Sequence, residues 1–522
     1  LKLSFMREDL SSMELCSVDS LVSGLYGIET STGNANGQYA TTNAKIHIDM
    51  ASGHGVKYIA CLPSTLAAGS GFSLVSRDGR LGHIPMTSKN SLKRGVIYDM
   101  GSIDERIEFD TDPATDLSAV ESANCYIVSG SGSYRIKTCQ GNSSESVGEV
   151  AFGRVVWETA NTSHAPKRFS IVSDAVADGQ YLYFRKPEGA PDGNALISVG
   201  GKDGLILWSW HIWSLENGVT DQTYSDGGST FSGAVMMDRN LGALDAGLTA
   251  KGYGLLYQCG RKDPFVGSCT LEGSGAAVAG QPMMTVSLSE DTCFIEYATA
   301  NPYVRITSDT GEWLMEPDNT LWSASNKTRY DPCPAGYHIQ YESAFNGIAI
   351  GSNSTWRSSY SERGCRTQMG DTYVNFPAAG AKDYSGSSVW FNVGYTGYYW
   401  NDSTGWRFNS TAVTLRKQLA HGYAASVRCQ KNATGPQLSF SLTVSAPVAN
   451  YVMASPSISG PGYPSASILW GDGSDEEKLV DGSTHTYVES GTYTLTVNGY
   501  SFTKFSIRSL GGVSQVDLSS FK

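Results

Sequence analysis

The chain has 522 residues, enough for roughly three or four domains because a single hydrophobic core stops growing well below that size. Its formal charge of −12 is spread along the chain with no cluster of Lys and Arg, which excludes the electrostatic footprint that nucleic-acid binding requires. Only 17% of the residues are charged and 58 are Gly, beside many Tyr, Trp, Ser and Thr, a mixture that favours strands and tight turns. No apolar run approaches the ~18 residues of a bilayer span, and the start at Leu1 without a charged-then-apolar leader fits a mature or trimmed product. The ten cysteines are widely spaced with no CxxC pair, which argues against zinc; they fit an oxidising compartment or a set of buried thiols.

Residues 1–106 alternate in short runs (KIHIDM, VKYIACL, GVIYDM) between Gly, Ser and Asn clusters, and predict a β domain that lacks its first strands. After the polar link DTDPATDLSAVESA come NCYIVS, SYRIKTC, EVAFGRVVWE, RFSIVS, QYLYFR, ALISVG and LILWSWHIW. Their spacing predicts an immunoglobulin-like β-sandwich over 107–215.

The last of these runs, LILWSWHIWSL (205–215), places three tryptophans and a histidine in six consecutive positions. Period-2 alternation puts Ile206, Trp208, Trp210 and Ile212 on one apolar face and leaves Leu205, Leu207, Ser209, His211 and Trp213 on a second, mostly apolar one. Such a strand is covered on both sides. It follows a Lys-Asp-Gly turn, so it reads as the return arm of a hairpin from NALISVGGKDG, with His211 as a hydrogen-bonded interior histidine; a ligand site is the alternative.

Over 216–431 the pattern gives way to long Gly/Ser loops and scattered aromatics, and a loop-rich domain of that size needs covalent or packing staples. A link, KNATGPQ, precedes a small β domain at 437–509. The tail at 510–522 reads as the start of a further surface repeat cut short.

VMMDRNLGAL (235–244), GLLYQCGRKDPF (254–265), RYDPCPAGYHI (329–339), NFPAAGAKDYSG, VGYTGYYW and the closing SVRCQ together resemble the Fibrobacter-succinogenes-type major paralogous domain. ANCYIV and LWSWHIW upstream resemble the fimbrillin-like module that often precedes it in Bacteroidales surface proteins. The resemblance covers roughly residues 120–431. It implies a C-type-lectin-like α+β fold and surface adhesion at a pilus tip, and supplies no catalytic residues. Cys259 stands where that family's YQxGRKDPF pattern expects an aromatic, which puts the local packing in question. The resemblance also suggests a disulfide between Cys333 and Cys429. Beside it, Pro332 and Pro334 restrict the backbone around Cys333, and closing so long a loop is worth roughly 4–5 kcal/mol at most in the chain-entropy model. Residues 467–497, with WGDG, HTY and GTYTLTV in order, resemble a polycystic-kidney-disease-type (PKD) sandwich. There Gly471 and Gly473 permit a tight turn, and THTY and TYTLTV read as paired strands.

DGSDEE offers Asp472, Asp475, Glu476 and Glu477 as oxygen ligands for calcium, without EF-hand spacing; a solvated turn is the alternative. Asp238, Arg239, Arg261, Lys262 and Asp263 read as internal ion pairs that fix loops. Trp390, Tyr398, Tyr399, Trp400 and Trp406 have the composition of a glycan platform, against the alternative that they fill a core. Asp402, Ser403 and Thr404 resemble a bacterial O-glycosylation acceptor. No GxSxG, HExxH or P-loop occurs, and no histidine lies within ten residues of Cys365. The expectation is a mainly β, extracellular, non-enzymatic surface adhesin or pilus tip subunit without cofactor or metal. Its partners are other pilus subunits or surface glycans and proteins, and the alternative is a carbohydrate-binding module.

Overall fold

The computed structural model is built almost wholly of strands and turns, with one short α-helix, Ile295–Ala300, among the described residues. The structure describes residues 1–16, 23–29, 34–43, 45–48, 55–67, 70–86, 88–273, 275–280, 283–324, 327–385, 390–402, 404–432, 438–459, 465–474, 477–479, 484–500, 504–507 and 512–519. The chain is mainly β, as its composition implies.

In the N-terminal module a five-stranded sheet runs in the order Glu108–Phe109, Leu81–Pro85, Gly71–Ser76, Leu10–Cys16, Lys45–Ile48. A three-stranded sheet runs Asp99–Ser102, Lys2–Phe5, Gly55–Tyr58. Leu3, Phe5, Met13, Leu15, Phe72, Leu74 and Ile84 fill the space between them. Glu108–Phe109 pairs with Leu81–Pro85, and the Arg7 and Arg80 guanidinium groups lie 4.9 and 5.4 Å from the centroid of the Phe109 ring.

Two four-stranded sheets follow. One runs Thr115–Asp116, Gly132–Lys137, Tyr181–Lys186, Ser173–Asp178; the other runs Cys125–Val128, Ile206–Ser214, Gly193–Gly200, Phe152–Thr159. Gly193–Gly200 and Ile206–Ser214 form the expected hairpin, with Gly204 at φ +82° in its turn. RFSIVS is not the strand that its sequence suggests. The buried Glu158 carboxylate accepts the N–H groups of Phe169, Ile171 and Val172, so these donors go to a side chain and the strand begins only at Ser173.

The module and the sandwich meet through buried polar groups. Glu14, 0% exposed, accepts from Gly153 N (3.0 Å) and Ala177 N (3.2 Å), and the Ser12 hydroxyl donates to Ala177 O at 2.8 Å. Asp174, held at φ +52°, accepts from the Ser73 hydroxyl at 2.9 Å and pairs with His83 (2.8 Å) and Arg185 (3.1 Å). Burial pushes its carboxyl up, and the cationic partners outweigh burial and hold it far below the usual range.

The region 216–431 contains several small sheets around five apolar clusters among the described residues. Its first strand pair, Asp221–Thr223 with Val235–Met237, is closed by Gln430–Lys431 from the far end of the region. The C-terminal domain has a five-stranded sheet ordered Glu477–Lys478, Ser465–Leu469, Gly491–Tyr500, Leu438–Ala446, Val513–Asp517. Thr484–Tyr487 pairs with Tyr451–Ala454 and not with the TYTLTV strand, so those two runs lie in separate sheets. Within the segment expected to open a further repeat, Val513–Asp517 pairs antiparallel with Leu438–Ala446 and occupies a sheet edge.

Glu14→Ala removes the acceptor for two buried N–H groups, each worth about 1–3 kcal/mol when left unsatisfied. A lowered thermal midpoint and faster proteolysis between the first two modules are expected. An unchanged midpoint contradicts the junction described here.

Candidate functional site

The strand Ile206–Ser214 decides what lies around it, because both faces of its sheet are covered. On one side Trp208, Trp210 and Ile212 join Tyr126, Val155, Ile197, Leu182 and Phe184 in the sandwich core. On the other, Trp213, Trp157, Leu196 and Cys125 join Met237, Leu241, Tyr257, Trp400 and Val427 of the central domain. LILWSWHIWSL is therefore core, with Trp208 3% and Trp210 1% exposed. One detail differs from simple alternation. The register shifts between the Val199–Trp208 and Gly200–Ile206 pairs, and Ile206 packs in the central-domain cluster, apart from Trp208 and Trp210.

A polar network runs through this junction. His211 Nε2 lies 2.9 Å from Asn194 Oδ1, and the Asn194 amide donates to Gly242 O at 2.9 Å. That fixes the amide orientation, so Nε2 carries the imidazole proton and Nδ1 accepts from the Cys125 thiol at 3.2 Å. Burial lowers the His211 pKa to about 3 and raises that of Cys125. The pair is therefore a neutral thiol and a neutral imidazole, the reverse of the thiolate–imidazolium polarity that a nucleophilic cysteine uses. Burial likewise pushes Cys365 up to about 11.

Gly242 belongs to the RNLGAL motif and needs to be glycine. It sits at φ +79°, and a Cβ there would meet Leu255 Cγ at 2.5 Å. Its carbonyl also accepts from Asn161 at 3.0 Å. Lys262 Nζ donates to Ser209 Oγ (2.6 Å) and Asp263 Oδ1 (2.7 Å), while the Ser209 hydroxyl donates to the same carboxylate oxygen at 2.6 Å. The GRKDPF motif thus places an ion pair against the Trp strand. Asp238 and Arg239 form the second expected pair at 2.9 Å. Arg261 corrects the expectation: its guanidinium donates to Val304 O (2.7 Å), Ala298 O (3.2 Å) and Gln258 Oε1 (3.2 Å), with no carboxylate partner among the described residues.

Cys333 and Cys429 form the disulfide, with Cα atoms 5.8 Å apart across 96 positions. It ties DPCPAG to the closing SVRCQ, beside Asp331, whose carboxylate accepts Cys333 N–H and Ile339 N–H at 2.8 Å each. Burial raises the Asp331 pKa to about 6. Cys259 is packed in the central core, and its carbonyl accepts the Trp313 indole N–H at 2.6 Å, so the missing aromatic leaves a filled site.

The proposed glycan platform does not form as a unit. Tyr398, Tyr399, Trp400 and Trp406 are 5%, 0%, 0% and 1% exposed, which puts their faces out of a sugar's reach. Trp406 packs 4.3 Å from Phe345 and 5.2 Å from Phe376, and Trp400 donates to Tyr257 O at 2.8 Å. A loop-rich domain uses these rings as core. Trp390 alone of the five stays half-buried. Arg428 was not singled out in the sequence, yet it is 0% exposed, donates to Asn240 Oδ1 (2.9 Å) and Asn375 O (2.8 Å), and lies 4.7 Å over Phe376. The signal was alternation within SVRCQ, which turns Val427 and Cys429 to one face and Arg428 to the other.

At the calcium candidate, Asp475 and Glu476 lie outside the described residues, as does Ser403 of the glycosylation candidate. The Asp472 carboxylate accepts from Ser474 (2.6 Å) and pairs with His485 (2.7 Å), whose ring stacks on Trp470 at 4.5 Å. Gly471 makes the expected turn at φ +82°. No group of three or more potential metal ligands occurs among the described residues.

No family model and no curated protein matches the chain. Among solved structures it is similar to SGBP-B of the Bacteroides ovatus mixed-linkage glucan utilization locus, in complex with a mixed-linkage heptasaccharide, at 9% identity and a TM-score of 0.13, covering 95% of this chain and 94% of that one. A likeness of that size carries no structural or functional inference.

His211 and His338 are both held neutral by burial, at about 3 and about 4. Between those values and the unfolded value of about 6.5 the unfolded chain binds protons that the native one does not, so stability is lost as pH falls through that window. His83 acts in the opposite sense: its native pKa is raised, because the Asp174 carboxylate outweighs burial. The expected outcome for His211→Asn is lower stability at pH 7 with a shallower loss between pH 6.5 and 4, measured by denaturant titration. A slope equal to that of the parent chain contradicts the assignment.

Proposed function

We propose that the chain is a non-enzymatic cell-surface adhesin or fimbrial tip subunit. In this reading two fimbrillin-like β modules carry a C-type-lectin-like domain at 216–431 and a PKD-type domain at 437–509. The observation that carries it is the way the modules are joined. Buried polar contacts tie the first module to the sandwich, and the central domain packs on one face of a sandwich sheet, so a loop-rich surface is presented on a stiff support. The Cys333–Cys429 bridge suits an oxidising, extracellular compartment. Among the described residues no helix is long and apolar enough to cross a membrane.

The polymer contact in this reading falls on the N-terminal module. There the edge strand Gly55–Tyr58 has Val56 and Tyr58 exposed, beside a groove of about 510 Å³ lined by Leu1, Ile59, Leu92, Val96, Ile97 and Tyr98. An extended segment of a neighbouring subunit fits such an edge by strand addition. Glycan recognition by the central domain is the second reading, and the half-buried Trp390 beside Phe391, 39% exposed, favours it.

Beads coated with the purified chain are expected to attach saturably to bacterial or epithelial cell surfaces and to be displaced by soluble chain. Attachment no greater than that of albumin-coated beads contradicts the adhesin reading.

A further inference from the structure

The strand pair Ala381–Lys382 and Trp390–Phe391 meets Val304–Thr307 at a place where positive charge is left uncompensated. Arg305 is 3% exposed; one arm of its guanidinium donates to Asp383 O, and Nη2 is buried with no partner among the described residues. Lys382, directly across from Trp390 in the ladder, is half-buried with Nζ 4.9 Å over the Trp390 ring. It makes no hydrogen bond or ion pair to any described residue.

Asp383, next in the chain, accepts from the Ser385 hydroxyl at 3.1 Å and forms no ion pair with either cation. The Asp383 charge acts on Arg305 without a direct ion pair, and Lys382 has no carboxylate partner among the described residues. Burial lowers Lys382 to about 8, helped by the Arg305 charge, and lowers Arg305 to about 10. A buried unpartnered guanidinium arm costs free energy unless something accepts from it, and a negative group does so best.

We propose that Arg305, Lys382 and Trp390 form a subsite on the central domain for an acidic saccharide, one bearing a carboxylate or a sulfate group. The anion is recognised by the Lys382 ammonium, with Arg305 supplying charge from beneath and Trp390 holding the ammonium in place. The saccharide part of the assignment rests on the surface-binding reading above.

The test is calorimetric titration of the full chain with oligogalacturonate, which carries carboxylates only, with dextran sulfate, which carries sulfates only, and with neutral dextran. At least one charged probe is expected to bind and neutral dextran is not; which charged probe binds identifies the group. Lys382→Gln is expected to weaken binding about tenfold or more, the loss of one charge-assisted hydrogen bond. Arg305→Gln is expected to do the same; if it fails to fold, the more exposed Lys382→Gln still decides. Lys202→Gln, an exposed lysine of the sandwich, is the control and should leave binding unchanged. Neutral dextran binding as well as the charged probes, no binding of either charged probe, unchanged binding by Lys382→Gln, or equal weakening by Lys202→Gln each overturn the subsite. Charged probes that bind as expected to a chain whose coated beads do not attach to cells overturn the adhesin reading and leave the subsite standing.

Discussion

The arrangement of the molecule depends on one sheet, Cys125–Val128, Ile206–Ser214, Gly193–Gly200 and Phe152–Thr159, that has no solvent face. A sheet in a free-standing sandwich buries one side and wets the other. Here the second side carries Trp157, Leu196 and Trp213 and needs its own cover, which the central domain supplies. Four tryptophans, Trp157, Trp208, Trp210 and Trp213, lie within it and are all nearly sealed. Trp157 and Trp213 face the central domain, so separating the two domains exposes both rings, and each large ring lost from such a site costs about 3–5 kcal/mol.

Once both faces are buried, polar groups between them can find partners only inside the protein, and most do, although the indole N–H groups of Trp157, Trp210 and Trp213 have none among the described residues. That accounts for the chain from Cys125 through His211 and Asn194 to Gly242 O, and for the Lys262–Asp263 pair against Ser209. The same burial holds the Cys125 thiol and the His211 imidazole neutral. Around Lys382 and Arg305 the polar groups are less completely satisfied: Lys382 is half-buried without an ion-pair partner among the described residues, and the buried Arg305 keeps one guanidinium arm without an acceptor.

How much of this was legible in the sequence follows from the range of the interactions. LILWSWHIW announced a doubly covered strand because alternation is a local property, and the bulge near Ile206 escaped because pairing with Gly200 is not. RFSIVS reads as a strand by composition, and a distant carboxylate, Glu158, took its backbone donors. The aromatic run at 390–406 has the composition of either a platform or a core; packing on Phe345 and Phe376, far away in the chain, decided it for all but Trp390. The Cys333–Cys429 pairing came from resemblance and the turn at Gly471 from local chemistry. Arg305 with Lys382, and Arg428 with Asn240, are pairs that only the tertiary fold brings together, and no local pattern marks them.

The central claim is that the sandwich and the central domain are one cooperative unit joined through that sheet. Native-state hydrogen exchange on the full chain tests it directly, by comparing the amides of Ile206–Ser214 with those around Gln430–Lys431 in the central domain. The account predicts that the slowest amides of both segments exchange with the same opening free energy and respond alike to denaturant, as members of one cooperative unit do. Central-domain amides that open at a clearly lower free energy while Ile206–Ser214 stays protected would contradict it.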